Sequence, residues 1–245
     1  LMEYGGIYSL EKPGEWKTVL DLLFLGAMLS PGGGKNDIPN RAKRHFHVMN
    51  VTLPSVASIN QIFGSMLAAK FDPKASDRVE EVWDASERLV GITIDIWNQT
   101  KAKMLPTPAK FHYIFNLRDL SRVFQGIFTA PSPEIIDTEE KLLKLWRHEC
   151  ERVFADRLVD HHDKGWFNQA LKKVLESNFP ATTVDAVIKG DGYFVNFIRE
   201  APVDEETGEL LEAPKVYELS CDLDLMRSTA LEYMGRFNES FKLMR

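Results

Sequence analysis

Apolar residues along this 245-residue chain follow two rhythms, and the change comes near Pro54. Residues 19–28, VLDLLFLGAM, form a continuous apolar run without helical spacing. Its length and the turn residues beside it predict a buried strand of a parallel sheet. The run ends in Ser30-Pro31-Gly32-Gly33-Gly34-Lys35-Asn36-Asp37, a cluster of breakers and therefore a loop. A short helical turn is expected at 40–44, and HFHVMNVTL (45–53) alternates as a second strand would. This piece is too small to be a domain alone and reads as the tail of a larger α/β sheet.

From Pro54 onward apolar residues recur every three or four positions. Ser55 is placed to cap a helix carrying Val56, Ile59, Ile62, Phe63, Met66 and Leu67. A longer helix is expected over 77–104, with Val79, Val82, Trp83, Leu89, Ile96 and Trp97. Leu105-Pro106-Thr107-Pro108 stops it, because each proline disfavours a helical residue before it. Asn116 can cap the next helix, Asp119 lies near its positive end, and Leu117, Leu120, Val123, Phe124, Ile127 and Phe128 form its stripe. Pro131-Ser132-Pro133 closes that helix. Further amphipathic helices are expected at 138–158, 164–179 and 222–245, and the charged segment 204–209 reads as an exposed hairpin or insertion. The fold class is thus mostly α with a small α/β part.

Composition narrows the function classes. At 44% hydrophobic and 11% aromatic the chain can bury a substantial core, which excludes disorder and fibrous repeats. The 30 basic and 36 acidic residues, a net charge of -6, argue against a nucleic-acid partner, whose footprint is a basic face. No apolar run approaches the roughly 20 residues that cross a bilayer, so no membrane is expected. Cys150 and Cys221 are too few for a disulfide framework, and a reducing compartment is the default. The opening Leu1-Met2-Glu3-Tyr4 reads like a cut from something longer. Three sequons, at Asn50, Asn98 and Asn238, are read as chance matches within strands or helices.

The candidate chemistry is mostly negative. A P-loop needs Gly-x4-Gly-Lys-Ser/Thr, so that amides wrap the phosphates and the hydroxyl binds magnesium. Gly34-Lys35 is followed by Asn36, and Leu29 stands five before Gly34, so the motif fails at both ends. No apolar run ends in paired acids either, and the chain alone is not expected to hydrolyse ATP. His161-His162-Asp163 and His45-x-His47 lack further ligands at a metal-binding spacing and read as surface or turn residues. His148-Glu149-Cys150 reads as a helix face, and no Ser–His–Asp or Cys–His set can be assembled. The arginines are more informative. Arg41 and Arg44 lie between the glycine loop and the second expected strand, and Arg118 and Arg122 share one face of the 116–128 helix. Exposed arginines are usually solvated charges, but a guanidinium can also bind phosphate oxygens bidentately.

Four stretches carry a resemblance. LMEYGGIYSLEKPG (1–14) resembles axonemal dynein heavy chains just after the acidic ATPase motif of their third AAA+ module. PGGGKNDIPNR (31–41) is similar to that module's glycine-rich turn. LPTPAKFHYIFNLRDLSRVFQG (105–126) resembles a signature of its lid, which KLWRHECERVFADRL (144–158) continues. The resemblance covers essentially the whole chain, is weakest at 180–215, and is strongest to outer-arm, gamma-type chains.

What the resemblance implies is specific. Residues 1–54 would be the end of the α/β core of an AAA+ P-loop ATPase, 55–221 its α-helical lid, and 222–245 a helix leading to the next module. Arg118 matches the lid arginine called sensor II, which approaches the phosphates of its own module. Arg41 matches the finger that reaches the nucleotide of the neighbouring second module, with Arg44 as second choice. Leu29 falls at the sensor I position, where more catalytic modules carry asparagine to position the attacking water; an apolar side chain there implies a regulatory site. The resemblance also implies ATP or ADP, with Mg held by residues outside this segment. Its partners would be neighbouring AAA+ modules, microtubules through the parent motor, and dynein intermediate and light chains. The expected location is the cytoplasm and the cytoskeleton of the ciliary or flagellar axoneme. A rival reading, an α-helical scaffold without a nucleotide role, expects Arg41 and Arg118 to be ordinary solvated charges. With half a sheet absent, the isolated piece is expected to be poorly soluble.

Overall fold

The computed structural model describes residues 1–28, 37–72, 80–131, 134–190, 192–200, 202 and 212–240. They fall into two units, Leu1–Leu53 and Pro54–Arg245. In the first, β1 (Gly6–Tyr8) and β2 (Trp16–Thr18) pair antiparallel, with Gly6 opposite Thr18 and Tyr8 opposite Trp16. Gly14, at φ +89°, supplies a left-handed turn after Pro13 that a residue with a Cβ would adopt only under strain. The Tyr8 and Trp16 rings meet edge to face at 5.0 Å. Strands of three residues are too short to leave a periodic trace, so spacing alone does not disclose this hairpin. The short helix expected at 40–44 forms as α1 (Asn40–Lys43).

The strands expected at 19–28 and 45–53 do not form. Beyond Val19, whose N–H donates to the Gly5 carbonyl at 2.8 Å, both segments run without ladder partners among the described residues, and most of their side chains are open to solvent, Leu23 at 92% and Val51 at 88% of full exposure. Asp21 sits at φ +57°, a left-handed conformation that an unbroken strand cannot contain. The larger reason is that a parallel strand is made by its neighbours. The described residues of this unit offer only β1 and β2, which pair with each other.

The second unit is helical: α2 (Val56–Phe71), α3 (Glu80–Lys103), α4 (Leu117–Thr129), α5 (Glu139–Val153), α6 (His161–Asn178), α7 (Ala181–Lys189) and α8 (Leu223–Ser240). The fold class stands as read: mostly α, after a small part of other character. Ser55 caps α2 by accepting the Ser58 N–H at 3.1 Å. The expected beginning of α3 at 77–79 and the end of α8 at 241–245 lie outside the described residues. The sequence reading has no counterpart for α7, which follows Pro180 and buries Val184 and Val187.

One expected helix is cut short. In place of a single helix over 138–158, α5 stops at Val153, and a 3-10 turn over Ala155–Arg157 follows. No glycine or proline marks the break, which explains why the sequence hides it. The turn lets Phe154 and Leu158 both enter the core while Arg157 reaches back to α4.

Helices α2 to α7 share one core, to which α8 contributes no buried residue among those described. Trp146 of α5 is wholly buried, and its indole N–H donates to Thr93 Oγ1 on α3 at 2.8 Å. Phe63 of α2 stacks on Phe124 of α4 with ring centroids 4.4 Å apart. At Gly126 of α4 the approach to α5 is so close that a Cβ would lie 2.1 Å from the Glu149 carboxyl carbon. Lys70, at the end of α2, donates to the carbonyls of Ile127 at 3.1 Å and Phe128 at 2.8 Å, and to that of Ala130. These are acceptors that the last turn of α4 cannot satisfy itself, at its negative end.

A second small sheet rests on α5. β3 (Tyr193–Val195) and β4 (Glu218–Ser220) pair antiparallel with Phe194 opposite Leu219. The charged segment 204–209 lies outside the described residues, and these strands bracket it. Arg199 and Glu218 join the hairpin's two arms through two hydrogen bonds of 2.8 Å.

Candidate functional site

The candidate site in the helical unit is the first turn of α4. Asn116 Oδ1 accepts the Arg118 N–H at 3.0 Å, while Asp119 Oδ2 accepts the Asn116 N–H at 2.9 Å, a reciprocal capping box. Asp119 lies four residues before Val123 and eight before Ile127, on the helix's buried face, and is itself only 3% exposed. A carboxylate there needs a cation, and Arg157 supplies it. Nη2 of Arg157 donates to Asp119 Oδ1 at 2.6 Å, and Nη1 donates to Oδ2 at 3.2 Å and to the Ile114 carbonyl at 2.6 Å. The same guanidinium lies 5.1 Å from the Phe115 ring centroid, within cation–π range. Burial pushes the Asp119 carboxyl up. The Arg157 hydrogen bonds, the Asn116 N–H and the nearby guanidinium charges overcome it and hold the group below the usual carboxylate range.

The approach to this turn is fixed as well. Lys110 pairs with Asp160 and Asp163, each at 2.5 Å. Tyr113 donates its hydroxyl to Asp163 Oδ2 at 2.9 Å and accepts the Val159 N–H at 2.9 Å. His112 Nε2 meets the Arg157 carbonyl at 3.1 Å. Asp163, from the His161-His162-Asp163 run, is therefore engaged in holding the 105–116 segment. Among the described residues no group of three or more His, Cys, Asp and Glu side chains is placed to hold a metal ion.

Against this fixed backbone Arg118 is exposed, and no described side chain pairs with its guanidinium. Arg122, one turn on, is partly engaged, with Nη1 3.8 Å from Asp119 Oδ1. The first unit shows the opposite pattern. Glu3 faces three cationic or potentially cationic groups: Arg44 in a short contact, His45 at 3.7 Å and Arg41 at 3.9 Å. Their charges, Arg44 first, draw the Glu3 carboxyl below its ordinary value. The Arg41 side chain remains 81% exposed, against 57% for Arg44. Leu29 and the glycine loop lie outside the described residues.

A small cleft elsewhere, between α5, the end of α7 and β3, is lined by Lys144, Arg147, His148 and Tyr193. Its cations are engaged: Lys144 pairs with Glu140 at 2.6 Å, and Arg147 with Glu151 at 2.8 Å. Arg147 also donates to the Val187 carbonyl at 2.7 Å, closing the end of α7. Burial, aided by the Arg152 and Arg147 charges, pushes His148 down to about 4, so it is neutral at physiological pH. This region packs the β3–β4 hairpin onto α5 and makes no contribution to the arginine site.

Sequence reasoning found Asn116, Asp119 and Arg118 but missed Arg157 and Lys70. One signal for Arg157 was present. An acid in register with an apolar stripe must find a buried cation, though the sequence does not say which one.

Two family models match the chain: one described as an AAA+ lid domain over residues 89–188, the other as a P-loop containing dynein motor region over residues 1–54. The two matches together define part of an AAA+ motor region, a family that binds nucleotide generally. The chain is 48% identical to mouse (Mus musculus) dynein axonemal heavy chain 5 over 99% of its length, covering 5% of that protein. It is 44% identical to human (Homo sapiens) dynein axonemal heavy chain 8 over 98% of its length and 5% of that protein. To the dynein gamma chain of the flagellar outer arm of Chlamydomonas reinhardtii it is 42% identical, over 100% of its length and 6% of that protein. The chain belongs to the axonemal dynein heavy chains and corresponds to a segment of their motor region, about a twentieth of their length. That membership places it in the axonemal cytoskeleton of a cilium or flagellum. No helix among the described residues is long and apolar enough to cross a membrane.

Proposed function

We propose that this segment is the lid and core tail of the third AAA+ module in an ATP-driven, minus-end-directed microtubule motor, and that it serves a regulatory nucleotide site. Arg118 acts as sensor II toward the phosphates of ATP or ADP in its own module. Arg41 acts as the arginine finger toward the neighbouring module, with Arg44 as second choice. The observation that carries the reading is the combination at α4: a guanidinium without a described partner, on a turn whose backbone is held by a capping box and a buried ion pair. Such an arrangement suits charge stabilisation, because the donor is placed before its ligand arrives. Residues outside this segment supply the P-loop and hold Mg. The neighbouring AAA+ modules receive lid closure as motion around the ring, and intermediate and light chains join the assembled motor. The exposed apolar segments 19–28 and 45–53 fit strands that pair with the rest of the ATPase core.

Nucleotide affinity of the third module, measured by titration of the complete heavy chain with fluorescent ATP and ADP, tests the reading. Arg118→Ala is expected to weaken binding about ten- to a hundredfold, the equivalent of one charge-assisted hydrogen-bonding group. Unchanged affinity in a folded variant would sink the nucleotide role and leave a helical scaffold. The regulatory character is assigned to Leu29, whose side chain cannot orient water. Leu29→Asn is expected to raise ATP turnover by this module, and an unaltered rate would count against that assignment.

A further inference from the structure

We infer that Arg157 is the positioning residue for Arg118, setting where the nucleotide-directed guanidinium can reach; the inference rests on the sensor II reading above. Arg118 has no described side-chain partner of its own, so its reach is set by the backbone of the first turn of α4. Arg157 grips that backbone on both sides of Arg118. It donates to the Ile114 carbonyl before the helix, covers the Phe115 ring, and binds both carboxylate oxygens of Asp119 within the helix. Asp119 in turn accepts the Asn116 N–H, completing a loop of bonds around residues 114–119.

The grip comes from outside α4. Arg157 belongs to the 3-10 turn after α5, and its own carbonyl meets His112 Nε2. A shift of the α5 end therefore moves the ground on which Arg118 stands. The planar fork is what does this. A lysine at 157 keeps the charge opposite Asp119, but its single nitrogen cannot reproduce the two-nitrogen fork in which Nη2 takes Oδ1 while Nη1 takes Oδ2 and the Ile114 carbonyl.

The experiment is a double-mutant cycle on the complete heavy chain, with fluorescent ADP titration as readout and thermal unfolding measured in parallel. Arg157→Lys is expected to weaken ADP binding roughly tenfold while the protein stays folded, and to add nothing further in the Arg118→Ala background. Amide exchange at 116–119 is expected to quicken in Arg157→Lys, a readout available even if unfolding temperatures shift. Full multiplication of the two losses would mean that Arg157 acts independently of Arg118 and would overturn the inference. So would unchanged ADP binding in Arg157→Lys where Arg118→Ala alone weakens it. If Arg118→Ala itself leaves binding intact, the sensor II reading fails and the positioning role falls with it.

Discussion

Asp119→Ala is expected to destabilise the helical unit by about 3–5 kcal/mol, the range for breaking one side of a buried ion pair. The loss has two parts. Arg157 is left facing a hole with a charge it cannot neutralise, and the Asn116 N–H loses its acceptor at the helix start. The Arg157 side chain is 21% exposed, so water can reach part of the orphaned guanidinium and the lower half of the range is the better expectation. The urea midpoint of the protein measures it, and a loss below about 1 kcal/mol would show the pair to be an ordinary surface bridge. A pH dependence accompanies it. Because the folded Asp119 carboxyl sits below its unfolded value, its contribution is present in full above the unfolded pKa of about 4 and disappears as pH falls through the lower folded value. Wild type should therefore lose stability across that acid window, and Asp119→Ala should lose less there.

Trp146→Ala should be comparably damaging, at about 3–5 kcal/mol, because it empties the largest fully buried side chain of the α3–α5 contact. Trp146→Phe separates packing from polarity. It keeps most of the ring volume and gives up the indole hydrogen bond to Thr93, for an expected loss of about 1 kcal/mol plus a smaller cavity contribution. The Thr93 hydroxyl still donates to the Leu89 carbonyl, so it is not stranded by either change. Denaturant midpoints of the two variants, compared with wild type, test the ranking. Equal losses would mean that the hydrogen bond, and not the packing, carries the contact.

The helices were legible because their information is local. Ser55 and Asn116 announce their helix starts within three residues, and the stripes on α4 and α5 need only the helix's own period to be read. Arg118 could be picked out for the same reason, once the surrounding signature suggested a role. What failed was non-local. The apolar run at 19–28 has the composition of a strand, but composition does not supply the neighbouring strands that make a sheet. The end of α5 was hidden because no breaker residue marks it, and the pair that the turn brings together, Arg157 with Asp119, is 38 residues apart along the chain. Lys70 illustrates the same point: nothing near it in sequence says that its ammonium closes a helix more than fifty residues later.

That ammonium has a mechanical consequence. With Lys70 bonded to carbonyls at one end of α4 and Phe63 stacked on Phe124 along its length, α2 and α4 are pinned at two separate points. A rod pinned twice can neither slide nor swivel against its partner without breaking a pin. A tilt of α4 that keeps both pins must therefore drag α2 with it, and through α2 the helix it chiefly packs on, α3, so the first turn of α4 cannot be moved without loading three helices at once.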